Sequence, residues 1–233
     1  MDVAAVIPAL NEAASVGEAV RRLRDVGIQR VVVADNGSTD ATTDMAAAAG
    51  ATVVRENRRG YGRACLTALA TLWQYPPEVV LFMDADLSDV PEEATLVLAP
   101  LLEGRADMVI GSRVLGQRQG LVEDGALTVP QRFGNALSCE LLRRIYGAHA
   151  TDLGPFRAIT WSALTALDMR DENFGWTVEM QVKAARAGLR VVEVPVHYKR
   201  RRTGESKVSG DLKGSIKAGI KILYTVARHV GPP

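Results

Sequence analysis

The chain has 233 residues, of which 47% are hydrophobic and 24% charged, with a net charge of +1. That length suits one large α/β domain with a sizeable core, and the near-neutral charge argues against a general nucleic-acid binder. Cys65 and Cys139 fit neither a metal knuckle nor a disulfide framework, so a reducing cytoplasm is the expected setting.

In the first half, short apolar runs alternate with helical segments. Residues 3–8, 30–35, 51–56, 79–84 and 107–111 read as strands, and 13–26, 41–49, 62–73 and 92–102 as helices. Such alternation predicts a parallel sheet with helices on both faces and functional loops at the carboxyl ends of the strands. The second half opens with a polar, glycine-containing loop at 115–130, long enough to be a mobile lid. A helix at 131–146, a strand at 156–160, helices at 161–167 and 176–187 and a strand at 189–196 follow. A basic segment at 199–207 leads into a last helix at 211–229. Nothing marks a domain boundary, so one domain over 1–233 is expected, with 208–233 as a C-terminal amphipathic helix.

The chemistry gathers at the strand ends. The run VVLFMDAD delivers Asp84 and Asp86 to the rim of the sheet. Two close carboxylates repel unless a cation lies between them, and hard oxygen ligands suit Mg²⁺ or Mn²⁺ holding a diphosphate. An acidic helix cap before Pro91 explains the same pattern. The first strand ends in Pro8, Asn11 and Glu12, suited to a base or ribose, although Asn11 also fits a helix cap. Asp35, in ADNGSTD, can accept from a base N–H, and turn chemistry accounts for that segment equally well. Gly60 and Gly62, among arginines and ahead of a helix, can bring backbone N–H groups to a phosphate.

In this order, VIPALNE, ADNGSTD, RRGYGRA and DADLSD followed by PEE resemble the family 2 glycosyltransferases with the GT-A fold. GSR at 111–113, TDLGPFR at 151–157 and RRTGESK at 201–207 resemble the dolichyl- or polyprenyl-phosphate mannose and glucose synthase branch. The resemblance implies a Rossmann-like, doubly wound, mostly parallel sheet. It also implies an inverting hexosyltransferase using UDP-glucose or GDP-mannose with Mg²⁺ or Mn²⁺, and a polyprenyl or dolichyl phosphate acceptor. Asp35 would contact the nucleobase, and Pro8, Asn11 and Glu12 would build the nucleoside pocket. Asp84 and Asp86 would be the metal pair, with Asp86 the direct ligand. Ser88 stands where many relatives carry a Gln, which leaves the third protein ligand open.

A phosphate acceptor is already ionised and needs cations more than a general base. Arg113, Arg132, Arg157, Arg202 and Lys207 lie on or beside the shared motifs and are expected to hold the two phosphate groups. Asp86, Arg132 and Arg202 are the candidate catalytic residues. Arg200 and Arg201 read as solvated surface charges. Glu179, on a helix, is the candidate base if the acceptor is a hydroxyl, or else orients an arginine. Neither His149 nor His197 has ligand spacing, and Ser38 and the cysteines lack nucleophile partners.

The last helix pairs an apolar stripe with Lys213, Lys217 and Lys221, which suits an anionic membrane surface, the protein body or a second subunit. No apolar run reaches the ~20 residues that span a bilayer. The expected setting is cytoplasmic, with peripheral membrane contact at most. Two other readings stay open, a soluble hydroxyl acceptor and a catalytically silent nucleotide-binding module. PALNE in place of a Gly-rich basic loop makes a sugar-phosphate nucleotidyltransferase the weaker rival.

Overall fold

The computed structural model describes residues 2–201. Arg202, Lys207 and the predicted helix at 211–229 lie outside the described residues. Among the described residues seven strands form one sheet: β1 (Val3–Ala9), β2 (Arg30–Asp35), β3 (Thr52–Arg55), β4 (Val79–Phe82), β5 (Met108–Ser112), β6 (Arg157–Thr160) and β7 (Val191–Pro195). Their order is β3-β2-β1-β4-β6-β5-β7. The central runs, such as the fully buried VVLF of β4, are apolar on both faces because helices cover both.

One face carries α1 (Val16–Asp25), α2 (Thr42–Ala48) and α4 (Ala94–Leu102), which pack Leu23 and Leu98 against Leu81 of β4. The other carries α3 (Tyr61–Leu72), α7 (Trp161–Leu167) and α8 (Trp176–Arg186) around Leu69, Phe82 and Trp176. The Phe82 and Trp176 rings meet edge to face at 6.0 Å. Burying one such ring contributes about 2–3 kcal/mol. A smaller apolar cluster joins α6 (Val129–Tyr146), through Cys139 and Leu142, to Val178 and Val182 of α8.

The GT-A pattern holds with instructive differences. β6 runs antiparallel to both β4 and β5. The chain reaches it from Asp152, which Arg113 holds at the carboxyl end of β5, so β6 can only run back from that edge. β4 stops at Phe82, two residues short of Asp84. Met83 N–H still reaches Val6 O at 3.3 Å. The chain then turns through Leu87 at φ 60° and a Ser88 N–H bond to Asp86 Oδ1 at 2.9 Å. Both acids therefore sit in a turn. A bulky residue with left-handed φ is strained by about 1–3 kcal/mol, a cost often found at functional turns.

The predicted lid is partly helical. Ser112 Oγ accepts from Leu115 N–H at 3.1 Å and starts α5 (Arg113–Arg118). α6 begins at Val129 because Thr128 and Gln131 form a capping box. No residue of 119–128 lines the cleft described below. Instead Glu123 N–H bonds Tyr198 O at 2.9 Å, which ties this loop to the segment after β7.

Candidate active site

A cleft of about 580 Å³ opens at the carboxyl edge of the sheet. Its floor is the turn after β4, with Asp84, Ala85 and Asp86. Pro8 and Ala9 at the end of β1, Glu12 after it and Asn36 after β2 form one wall, and Arg59, Gly60 and Tyr61 at the start of α3 form another. Arg113, Tyr198 and Arg201 border it on the β5 and β7 side. Gln131 and Asn135 from α6 and Asn173 and Phe174 before α8 close the mouth.

Tyr61 Oη donates to Asp84 Oδ1 at 3.0 Å. Burial and the charge of Asp86 raise the Asp84 carboxyl to about 7, against the opposing effect of the Tyr61 hydrogen bond. Asp86 Oδ2 lies 3.4 Å from Arg201 Nη1, and Arg201 Nη2 also pairs with Glu12 Oε1. Nearby Asp89 is buried, with no hydrogen-bond partner on either carboxyl oxygen among the described residues. Burial and the charges of Asp84 and Asp86 push it well above the usual carboxylate range.

Arg113 is locked rather than free. Its Nε and Nη2 donate to Asp152 at 2.8 and 2.7 Å, and its guanidinium lies 5.2 Å from the Tyr198 ring centre. Burial alone would lower its pKa, but the Asp152 charge and hydrogen bonds raise it. Asp152 is itself set by Glu193 of β7, which accepts from the Thr151 and Asp152 N–H groups at 2.9 and 3.0 Å. The donor fork is thus spent on Asp152, and a chain of contacts beginning on the edge strand holds the guanidinium at the cleft wall.

The sequence matches the profile "Glycosyl transferase family 2" over residues 4–157. The chain belongs to glycosyl transferase family 2. It is 35% identical to glycosyltransferase AglJ of Haloferax volcanii over 84% of its own length, and spans 63% of that relative. It is 31% identical to the undecaprenyl-phosphate mannosyltransferase of Micrococcus luteus, covering 99% of this chain and 97% of that one. The fold matches glucosyl-3-phosphoglycerate synthase of Mycobacterium tuberculosis, solved with Mn²⁺, UDP and phosphoglyceric acid. That match has a TM-score of 0.78 at 22% identity, over 99% of this chain and 79% of the other. The fold is therefore GT-A, and the protein is a glycosyltransferase.

Of the residues expected in this family 2 site, Pro8, Glu12, Gly60, Asp84, Asp86 and Arg113 line the cleft. Asn11 and Asp35 stand behind its wall. Asn11 Oδ1 accepts from Thr39 N–H at 2.8 Å, and Asp35, 1% exposed, accepts from Ser38 N–H and Thr43 Oγ1 at 2.9 and 3.1 Å. Together they clamp the loops after β1 and β2.

Four expectations need correction. Arg157 is fully buried, and its guanidinium donates to the carbonyl oxygens of Leu153, Gly154 and Thr177, so it cannot reach a phosphate in the cleft. Burial lowers it to about 10. Glu179 is also buried, accepting from the Arg170 and Asp171 N–H groups at 3.1 and 2.7 Å and pairing with Lys183 at 2.8 Å. It shapes the loop before α8 instead of meeting an acceptor. Arg132 is exposed on α6, one residue round the helix from Gln131, and lies off the cleft. Gly62 gives no phosphate cradle, because its N–H bonds Asn173 O at 3.3 Å, while that of Gly60 bonds Asn36 Oδ1 at 2.8 Å.

Tyr61, Tyr198, Asn36 and Arg201 also line the cleft, and none of them was a candidate site residue from sequence. GYG gave a signal for Tyr61, as the first residue of a helix facing a strand end. Arg201 was hidden in a basic run whose register against the cleft is set only by β7.

A divalent cation fits the acids on the floor. The pair is oxygen-only, half-buried and mutually repelling, as the raised Asp84 carboxyl reflects. Among the described residues no three His, Cys, Asp or Glu side chains converge on a metal position. Mg²⁺ and Mn²⁺ sites built on one or two carboxylates complete their shell with water and substrate phosphate.

Proposed function

We propose that the chain transfers a hexose, with inversion, from a nucleotide diphosphate sugar to a polyprenyl phosphate. UDP-glucose and GDP-mannose are the candidate donors. The observation that carries this reading is the acid pair on the cleft floor, with Asp84 raised to about 7 beside Asp86. These two residues would hold Mg²⁺ or Mn²⁺, which when bound offsets charge building on the leaving diphosphate. Tyr61 orients Asp84 through its hydrogen bond. Arg113, held by Asp152, presents charge to the phosphates.

Two features favour a lipid phosphate over a hydroxyl acceptor. Glu179, the base a hydroxyl would have called on, is engaged away from the cleft. At the mouth, Val129, Phe133 and Leu137 of α6 are 78%, 69% and 39% exposed, four residues apart on one face. Gln131 and Asn135, on the other face, line the cleft. An apolar stripe beside a charged cleft suits a prenyl chain entering head first. The M. luteus relative, by name, acts on undecaprenyl phosphate. Peripheral membrane contact follows from the same stripe. Among the described residues no helix is long and apolar enough to cross a membrane.

An acceptor screen tests this reading. UDP- and GDP-linked radiolabelled hexoses are offered with Mn²⁺ and either a polyprenyl phosphate, free sugars or phosphoglycerate. Label extractable into organic solvent with the polyprenyl phosphate alone is the expected result. Water-soluble product from the other acceptors would overturn the lipid assignment.

A further inference from the structure

The segment after β7 laces across the carboxyl edge of the sheet. His197 N–H bonds Glu93 at 2.8 Å, and its Nδ1 pairs with the same carboxylate at 2.6 Å. Tyr198 N–H reaches Leu121 O at 3.2 Å, Lys199 N–H reaches Ser88 O at 2.8 Å, and Arg200 N–H reaches Glu123 at 2.8 Å. These anchors deliver the next side chain, Arg201, to the cleft floor. There its side chain, 18% exposed, spans Asp86 and Glu12 with its guanidinium.

Glu12, Asp84 and Asp86 all line the cleft, and Glu12 and Asp86 share one cationic partner, Arg201. Arg113 is committed in a bidentate pair to Asp152. Among the described residues, the guanidinium of Arg201 is the cation that pairs with Asp86, on the oxygen opposite the one held by the Ser88 N–H.

We propose that Arg201 is a built-in counter-ion of the acidic site, holding Asp86 and Glu12 until a divalent cation displaces it. The inference rests on the reading of Asp84 and Asp86 as the metal pair. A guanidinium and a divalent ion repel each other and compete for the same oxygen. Arg201 therefore weakens metal binding to the empty cleft while keeping its carboxylates ordered. By linkage, metal loading releases the end of the 197–201 strap, and whatever holds the strap down lowers metal affinity by the same factor.

Mn²⁺ binding to the metal-free protein, without nucleotide, tests this, with free Mn²⁺ counted by its electron paramagnetic resonance signal. Arg201→Ala and Arg201→Gln should each tighten binding by roughly tenfold, the scale of one charge-assisted hydrogen bond. Arg201→Lys, which keeps the charge, should stay near wild type. Unchanged or weaker binding in the Ala and Gln variants, with melting curves showing them folded, would overturn the proposal. So would tightening in Ala alone, which would mean steric blocking instead of charge. Asp86→Asn separates the two readings: it should lose the site, and wild-type binding in that variant would sink the metal pair itself.

Discussion

Asp84 shows how a single residue ties the fold to the chemistry. Its folded pKa of about 7 lies above its ordinary value of 3.8. Below the ordinary value the group is protonated in both states. Between the two values the unfolded chain ionises first, so the folded state binds more protons and stability falls as pH rises. That contribution is present in acid and lost by about pH 7. Carboxylates such as Asp152, whose pKa is lowered by Arg113 against the effect of burial, act in the opposite sense, so the effect is best read as a difference. In metal-free protein, Asp84→Asn should gain stability on the wild type as pH rises from about 4 to about 7, then stay level. Urea denaturation across that range with a chelator present measures it, and a gap that does not change with pH would contradict it. The acid pair was legible from sequence only through the motifs around it, because an apolar run stopping at DAD fits a helix cap equally well. Arg157 was misread, and Glu179 was left between a base and a structural role, because a motif position does not say whether a charge faces substrate or backbone. Only packing decides that, and here it turns both inward.

At the scale of elements, the glycines of GYG mark a junction. A Cβ on Gly62 would lie 1.8 Å from Asp171 O, and one on Gly60 would lie 2.2 Å from Glu172 O. Both obstacles are backbone, so neither can swing aside. The glycines let α3 press against the loop that Glu179 shapes and that carries Asn173 and Phe174 into the cleft. Gly62→Ala should cost about 2–3 kcal/mol, the range of an overpacked contact, and raise KM for the donor as that wall shifts. Gly134→Ala, on α6 with nothing within 4 Å, is the control and should be neutral or stabilising by up to ~1 kcal/mol. Equal melting temperatures for the two variants would contradict the packing account. The helix starts were also legible in part. Thr128-Val129-Pro130-Gln131 is a capping-box sequence that places the start of α6 two residues before the predicted one. The reversed direction of β6 was not legible, because four residues reading RAIT carry no signal of direction.

Across the whole molecule, strand alternation points to the edge of the sheet where the cleft lies. In a sheet of this type the carboxyl ends collect the loops, and loops from six of the seven strands do meet at one edge with the lead-in to the seventh, β6. What alternation leaves out is how distant segments register. Arg201 and Glu12 are 189 residues apart in sequence, and their meeting depends on β7 pairing with β5 and on each anchor of the strap. The central claim is that this edge holds a donor diphosphate on the acid pair. Hexose transfer to polyprenyl phosphate by Asp86→Asn, measured against wild type with saturating Mn²⁺, tests it most directly. The account predicts a loss of at least about 10²–10³ in kcat/KM, with the melting temperature of the metal-free protein not lowered; transfer at the wild-type rate would contradict it.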